Sequence, residues 1–421
     1  MADFFANSVG LPWWLAYLVT GVIQTQLLLI VPFVGAMTFV WMERKISARI
    51  QDRLGPTRTG GKFGWLQLLA DGIKLLNKED LMPADADKLM FRVAPYISFT
   101  ASYVALLALP FASGWAAQRM NVAIFFVLAV LGLEVFGVIL GGYASASKWS
   151  LFGAMREAAQ VVSYEVPLGM CVVVPVMIAG TMDLVAIADM QRGLFTNWFV
   201  FHDPFTFITF WVYFTCAVAS VNRAPFDLAE AESELVAGFH TEYSGFRWLA
   251  FYMAEYGSMF TVSGLATILF FGGWNGPIPL VGWIDAEPDT FLHWFVNFLG
   301  FVNFVAKAVL GVTVMIWVRW TLPRLRIDQV MKTCLKYCTP IAAVMFLGAT
   351  IWNGFLFPGG MPWQNVVLGT VREAELLEPA PVAAPASSQD HVAGGDRNSN
   401  RPLSIAARVA ANAGSQLEGG K

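Results

Sequence analysis

The sequence predicts an all-α, polytopic membrane protein with eight transmembrane helices, an amphipathic helix on the cytoplasmic side and a disordered C-terminal tail. Three observations predict it. Of 421 residues, 57% are hydrophobic, with 16 Trp, 34 Phe and a mean hydropathy of +0.57, more apolar surface than one soluble core can bury. Eight runs of about 20 apolar residues lie near 15–41, 93–115, 122–143, 161–182, 204–221, 249–272, 295–318 and 337–357. Lys and Arg are distributed unevenly between alternate loops, as the positive-inside rule requires of a multi-pass chain.

The first run is expected to remain as a span, since no Lys or Arg precedes it and no small-residue cleavage site follows. Loops 43–92, 144–160, 222–248 and 319–336 hold ten, two, two and five basic residues, whereas loops 116–121, 183–203 and 273–294 hold one, one and none. The basic loops are therefore placed in the cytoplasm and the N-terminus outside. Because backbone groups in lipid must pair internally, the runs are read as helices.

The first cytoplasmic loop, "ERKISARIQDRLGPTRTGGKFGWLQLLADGIKLLNKED" (43–80), carries a pattern of its own. From Gly64 on, Leu66, Leu69, Ala70, Ile73 and Leu76 follow helical spacing, with Gln67, Asp71, Lys74 and Lys78 opposite. This predicts an amphipathic helix on the membrane surface, apolar face down, reached through Gly55-Pro56 and Thr59-Gly60-Gly61. A cavity between that helix and the bundle, with Arg44, Asp71 and Lys74 as its polar groups, would suit a long lipid-like ligand with a polar head. Arg324 and Arg326 of "LPRLRIDQ" (322–329) could face it too. From charge alone, interfacial anchoring is the preferred reading of Arg44, Lys45, Arg49, Arg53, Arg58 and Lys62, and the amphipathic helix that follows argues for more.

Glu134, Glu165, Glu255 and Lys307 fall inside predicted spans, where each charge costs at least about 2.5–3.5 kcal/mol at a helix centre and so marks an interior, water-facing or proton-carrying position. Glu255, close to Arg247, is the acid most readily read as interfacial. Residues 220–248 gather Asp227, Glu230, Glu232, Glu234 and Glu242 against only Arg223 and Arg247. Helical spacing would set Asp227, Glu230 and Glu234 on one face, with Glu232 turned away. Carboxylates that close titrate stepwise, and the apolar "LVAGF" that follows distinguishes the segment from a plain solvated loop.

Cys171, Cys216, Cys334 and Cys338 form no CxxC pair, and His202, His240 and His293 lie near span ends, so no metal site, haem or iron–sulfur cluster is expected. Residues 378–421 are rich in Ala, Pro, Ser and Gly without an aromatic residue, which predicts a disordered tail. The division is one eight-helix membrane domain over 1–370 and a tail over 371–421. No internal repeat points to an inverted-repeat transporter.

The 43–80 segment, "GAMREAAQVVSYEVPLG" (153–169), "NRAPFDLAEAESELVAGFHTEYSG" (222–245), "MAEY" (253–256) and "LPRLRIDQ" together resemble the quinone-site membrane subunit of respiratory complex I, the bacterial NADH–quinone oxidoreductase, over about residues 10–360. The resemblance implies a multi-pass protein of the bacterial inner membrane that partners the hydrophilic-arm quinone-module subunits and small membrane-arm subunits, takes ubiquinone or menaquinone from membrane lipid, and binds no flavin, iron–sulfur cluster, metal or nucleic acid. It would have no independent redox activity. Carried over residue by residue, it places the quinone chamber at Glu43, Arg44, Asp71, Lys74, Arg324 and Arg326, and a carboxylate path for protons at Glu165, Asp227, Glu230, Glu232, Glu234 and Glu255. Many relatives carry a carboxylate where this chain has Ser220, and Glu134 is the candidate to compensate. The rival readings are the homologous membrane chain of a membrane-bound hydrogenase or a ferredoxin- or deazaflavin-linked complex, and, from another class, an ion-coupled secondary transporter.

Overall fold

A computed structural model describes residues 12–230, 232–277 and 291–353. Among them the regular structure is helical, the one β-feature being an isolated bridge between Ala112 and Trp115. The helices are α1 (Trp13–Ile50), α2 (Gln67–Asn77), α3 (Lys88–Ala105), α4 (Ala123–Ala144), α5 (Lys148–Ala179), α6 (Leu184–Met190), α7 (Pro204–Ser220), α8 (Glu232–Leu235), α9 (Gly245–Phe270), α10 (Phe291–Thr321), α11 (Ile327–Met331) and α12 (Thr339–Ile351). A π-helical turn, Lys332–Cys338, joins the last two.

Among the described residues, five helices are long and apolar enough to cross a membrane: α1, α4, α5, Leu292–Thr321 of α10 and the continuous Ile327–Ile351 stretch. The run at 204–221 forms the 17-residue α7. The run at 93–115 is helical only as far as Ala105. The run at 249–272 lies in α9, 26 residues long. The predicted tail, 371–421, lies outside the described residues.

Two helices outrun the hydropathy that predicted them. With 38 residues, α1 is about 57 Å long at about 1.5 Å per residue, against a hydrocarbon thickness of about 30 Å. It runs on through Pro32 to Ile50, so Glu43 and Arg44 ride on its last turns and not in a loop. Similarly α5 starts at Lys148 and absorbs most of the predicted 144–160 loop. It stops at Gly180, whose φ of +68° is the left-handed cap that glycine adopts without a Cβ clash, and whose N–H donates to Val176 O at 2.8 Å.

Helix starts follow the capping chemistry. Asp87 accepts from the N–H groups of Leu89 and Met90 at the head of α3, and Asp203 accepts from Thr206 N–H at 2.6 Å at the head of α7, where Pro204 takes the first turn. Helices α3 and α4 pack closely at Gly137, where a Cβ would lie 2.7 Å from Ser98 N. The core runs through the bundle from Phe39 and Tyr213 to Phe270 and Phe304.

The amphipathic helix is α2. It keeps Gln67, Leu68, Asp71, Gly72 and Leu75 toward the bundle and leaves Leu66, Leu69, Ile73 and Leu76 exposed, an apolar stripe of the kind that lies on lipid or a neighbouring protein. Its approach is fixed by Trp65 stacked on Trp41 of α1, ring centroids 4.2 Å apart, and by Trp41 Nε1 donating to Phe63 O at 2.8 Å.

Candidate functional site

The chain concentrates its buried charge where the end of α1, the loop between α7 and α9, the start of α9 and the end of α10 meet. At the centre Arg223 is only 2% exposed. Its Nη1 donates to Glu43 Oε2 at 3.2 Å, its Nε lies 2.6 Å from Glu255 Oε1, and its guanidinium covers the Tyr256 ring at 4.4 Å. Glu43 is held on three sides: Arg319 Nη1 donates to it at 2.6 Å and the Tyr256 hydroxyl donates to its other oxygen. Two guanidiniums are what permits Glu43 and Glu255 to be buried.

Around this centre each loop acid has its own partner. Asp227 accepts from Arg324 Nη2 at 2.9 Å, Glu230 faces His240 Nε2 at 2.8 Å, and Glu234 accepts from Arg156 Nη1 at 2.6 Å. The predicted shared helical face is therefore wrong. Residues 221–230 form turns and bends, with Asn222 at φ +51°, and helix is limited to the single turn of α8. Gly238, at φ +54°, packs so close to this segment that a Cβ would fall 1.6 Å from Ala229 O. The Glu232 side chain lies outside the described residues.

Burial, reinforced by the Glu230 charge, pushes the Asp227 carboxyl up to about 6 in spite of Arg324 and Arg223. Burial also works on Glu230, but His240 and Arg223 outweigh it and hold that carboxyl below its ordinary value. The two neighbouring acids are thus shifted in opposite directions, Asp227 upward and Glu230 downward, so they lose their protons in separate steps.

The basic set divides. Arg44 Nη1 donates to Asp71 Oδ2 at 2.6 Å and Lys74 Nζ to Asp71 Oδ1 at 3.3 Å, joining α1 to α2. Burial pushes the Asp71 carboxyl up, but these two cations prevail and hold it low. Arg324 belongs with the acids, through Asp227. Arg326 is exposed at the N-cap of α11, where its backbone N–H donates to Gln329 Oε1 at 3.0 Å.

Two cavities continue from the ion network into the bundle. The smaller, about 30 Å³, is lined by Glu157, Asn222, Glu230, His240 and Glu255, together with Glu134 and Ser220. The larger, about 320 Å³, is lined by Glu134, Tyr164, Glu165, Ser220 and Ser258 among apolar side chains of α4, α5 and α9. Glu134 and Ser220 belong to both. The Ser258 hydroxyl donates to the Glu134 carboxylate, so Glu134 is fixed between the cavities. Glu165 opens onto the exposed side of the larger one.

Glu255, expected to be interfacial, is instead paired to the buried Arg223. Sequence reasoning also passed over Arg223, Arg319, Tyr256, His240 and Glu157. Arg223 had a signal, being one of only two arginines in the acid-rich 220–248 stretch. Among the described residues no group of His, Cys, Asp and Glu is arranged to hold a metal.

A profile of the family described as NADH dehydrogenase matches residues 23–350. Among similar proteins, the H subunit of the NADH-quinone oxidoreductase of Anaeromyxobacter dehalogenans is 43% identical over 332 residues, covering 76% of this chain and 78% of that one. The corresponding chain of Chlorobium luteolum is 44% identical, covering 75% of this chain and 85% of its own. That of Geobacillus thermodenitrificans is 42% identical, covering 78% and 93%.

Proposed function

The chain belongs to the NADH dehydrogenase family, among the H-type membrane subunits of NADH–quinone oxidoreductase, and on that footing we propose that it forms the quinone chamber of a proton-pumping complex and the start of the carboxylate path coupling quinone reduction to proton translocation. The observation that carries this reading is the end of α1. Consecutive residues there serve two networks: Arg44 pairs with Asp71 of α2, and Glu43 sits between Arg223 and Arg319.

Electrons reach quinone from redox centres on other subunits. A quinone head group near Asp71, Arg44 and Lys74 would meet one carboxylate and two cations, the polar end that an amphiphile entering from lipid requires. Reduction to the quinol takes two electrons and two protons, and protons drawn from acids beside the head group leave negative charge next to Arg44. One residue away, Glu43 holds two guanidiniums, and through Arg223 the change is felt at Glu255, with Asp227 and Glu230 beside it. Glu234, Glu232, Glu134 and Glu165 extend the path. The substrate is ubiquinone or menaquinone, and the partners are the hydrophilic-arm and small membrane-arm subunits.

The proposed subunit has eight spans with its N-terminus outside the inner membrane, and contacts between the basic loops support those loops' lying on one side. Arg247 Nη2 lies 2.8 Å from Asp80 Oδ2, and Ser244 Oγ donates to Glu79 O at 3.1 Å, so the first and third of those loops meet at one end of the bundle. The test is Asp71→Asn and Arg44→Ala in the intact complex. NADH–quinone activity should fall about ten- to a hundredfold, as for a misplaced substrate, while NADH oxidation by an artificial acceptor persists. Loss of both activities with assembly preserved would remove the chamber assignment.

A further inference from the structure

We propose that Glu157 carries a proton between the acids of the 222–244 loop and Glu134, as a link of the path through the helix α5 side of the smaller cavity. The inference rests on the coupling path proposed above and adds a residue to it. Glu157 is 0% exposed. Its Oε1 accepts from Asn222 Nδ2 at 2.8 Å, while its Oε2 has no hydrogen-bond partner among the described residues. Leaving a buried carboxylate oxygen without a partner is costly, and taking a proton or a water removes that cost.

The surroundings supply both. Glu157 lines the cavity of about 30 Å³, which has room for about one or two waters. His240 lines the same cavity, and its Nδ1 is likewise without a partner among the described residues, while its Nε2 meets Glu230. The charged groups around the cavity are Glu230 and His240 of the loop, Glu255 of α9 and Glu134 of α4, with no Lys or Arg among its lining residues. A proton leaving Glu230 or Glu255 can therefore pass to Glu157 Oε2 and on to Glu134, which opens onto the larger cavity. Glu157 and Tyr164 are seven residues apart on one stripe of α5, so the helix presents both cavities with a polar group.

Ser220 lines the same two cavities but cannot do this. Its hydroxyl donates to Ala217 O at 2.9 Å within its own helix, and it does not ionise in the working range of pH. The carrying group thus stands on α5 and not on α7.

The experiment uses the whole complex in vesicles, measuring NADH-driven quinone reduction and proton uptake, with artificial-acceptor oxidation and subunit content as the assembly control. Glu157→Gln keeps an acceptor for Asn222 and removes only the titrating group. It should lower turnover and proton uptake together by roughly tenfold or more, and Ser220→Glu on that background should restore most of the loss by returning a carboxyl to the same cavity. Wild-type uptake in Glu157→Gln, with Glu234→Gln impaired, overturns the Glu157 assignment and leaves the wider path standing. Wild-type uptake in both removes the path itself. A loss that Ser220→Glu does not relieve overturns the relay. Should Glu157→Gln fail to assemble, Glu157→Asp against Glu157→Asn makes the same contrast, and equal turnover in the two overturns the proposal.

Discussion

Among the described residues, two sites hold charge inside the bundle in opposite ways, the buried ion network around Arg223 and the partly buried Lys307. At the ion network, Arg223 has Nη2 without a partner among the described residues, Asp227 Oδ1 and Glu157 Oε2 are likewise open, and cavities adjoin. At Lys307 of α10 the ammonium donates to three backbone carbonyls, Phe271 O at 2.7 Å, Gly273 O at 3.1 Å and Asn275 O, and lies 4.4 Å from the Trp198 ring. Those carbonyls belong to the end of α9 and the turn after it, where Gln191, fully buried, bonds Ile268 O at 2.8 Å and accepts from Gly272 N–H at 3.0 Å. A charge whose donors are all used, with backbone as acceptor, has one arrangement. A charge among several titrating partners with open atoms and room for water has more than one, and only such a site can change protonation without rebuilding its surroundings.

Arg223→Met gives the largest expected effect. It leaves Glu43 and Glu255 buried with their shared cation gone, a loss of about 3–5 kcal/mol, and the yield of assembled complex and its thermal stability should fall accordingly. Arg319 remains beside Glu43 but does not reach Glu255. Stability unchanged in Arg223→Met would mean that the network is not the structural keystone its burial implies.

Lys307→Met comes next. Three carbonyls lose a charged donor, which costs about 1–3 kcal/mol, yet quinone-linked turnover per assembled complex should stay at the wild-type level. A fall in turnover at full assembly would erase the distinction between the two regions and bring Lys307 into the coupling path.

The contrast also explains what the sequence could disclose. The apolar runs were legible because hydropathy within the hydrocarbon is a property of composition. The ends of α1 and α5 were not, since their polar last or first turns project past the lipid, where hydropathy stops at the first charges although the helix does not. The shared face expected for Asp227, Glu230 and Glu234 failed because periodicity assumes a helix, and residues 221–230 instead form turns and bends, with Asn222 in the left-handed region. Lys307 and Glu134 were recognisable as costly residues in spans, but their fates were not: carbonyls of the α9 terminus receive the first, and a serine of α9 the second. The partners of Glu43 lie 180 and 276 residues away, and no single sequence pairs residues at such distances.

The smallest effect on stability is expected at Glu234, and there the functional effect should be out of proportion. Its side chain is 51% exposed and its pair with Arg156 is a surface one, worth about 0–1 kcal/mol. Glu234→Gln keeps the hydrogen bond and removes the charge, so assembly and thermal stability should hardly move. If protons or charge pass along the loop acids, quinone-linked turnover and proton uptake should nevertheless fall together, with artificial-acceptor oxidation intact. Glu165→Gln, at the far side of the larger cavity, should behave alike. Since residues of one pathway are non-additive, the double variant should be little worse than the worse single one. Additive losses in the double variant would place Glu234 and Glu165 on separate routes. Wild-type uptake in both single variants would make the loop acids a docking surface held by ion pairs, and the open atoms of the ion network would then belong with Lys307 as structure.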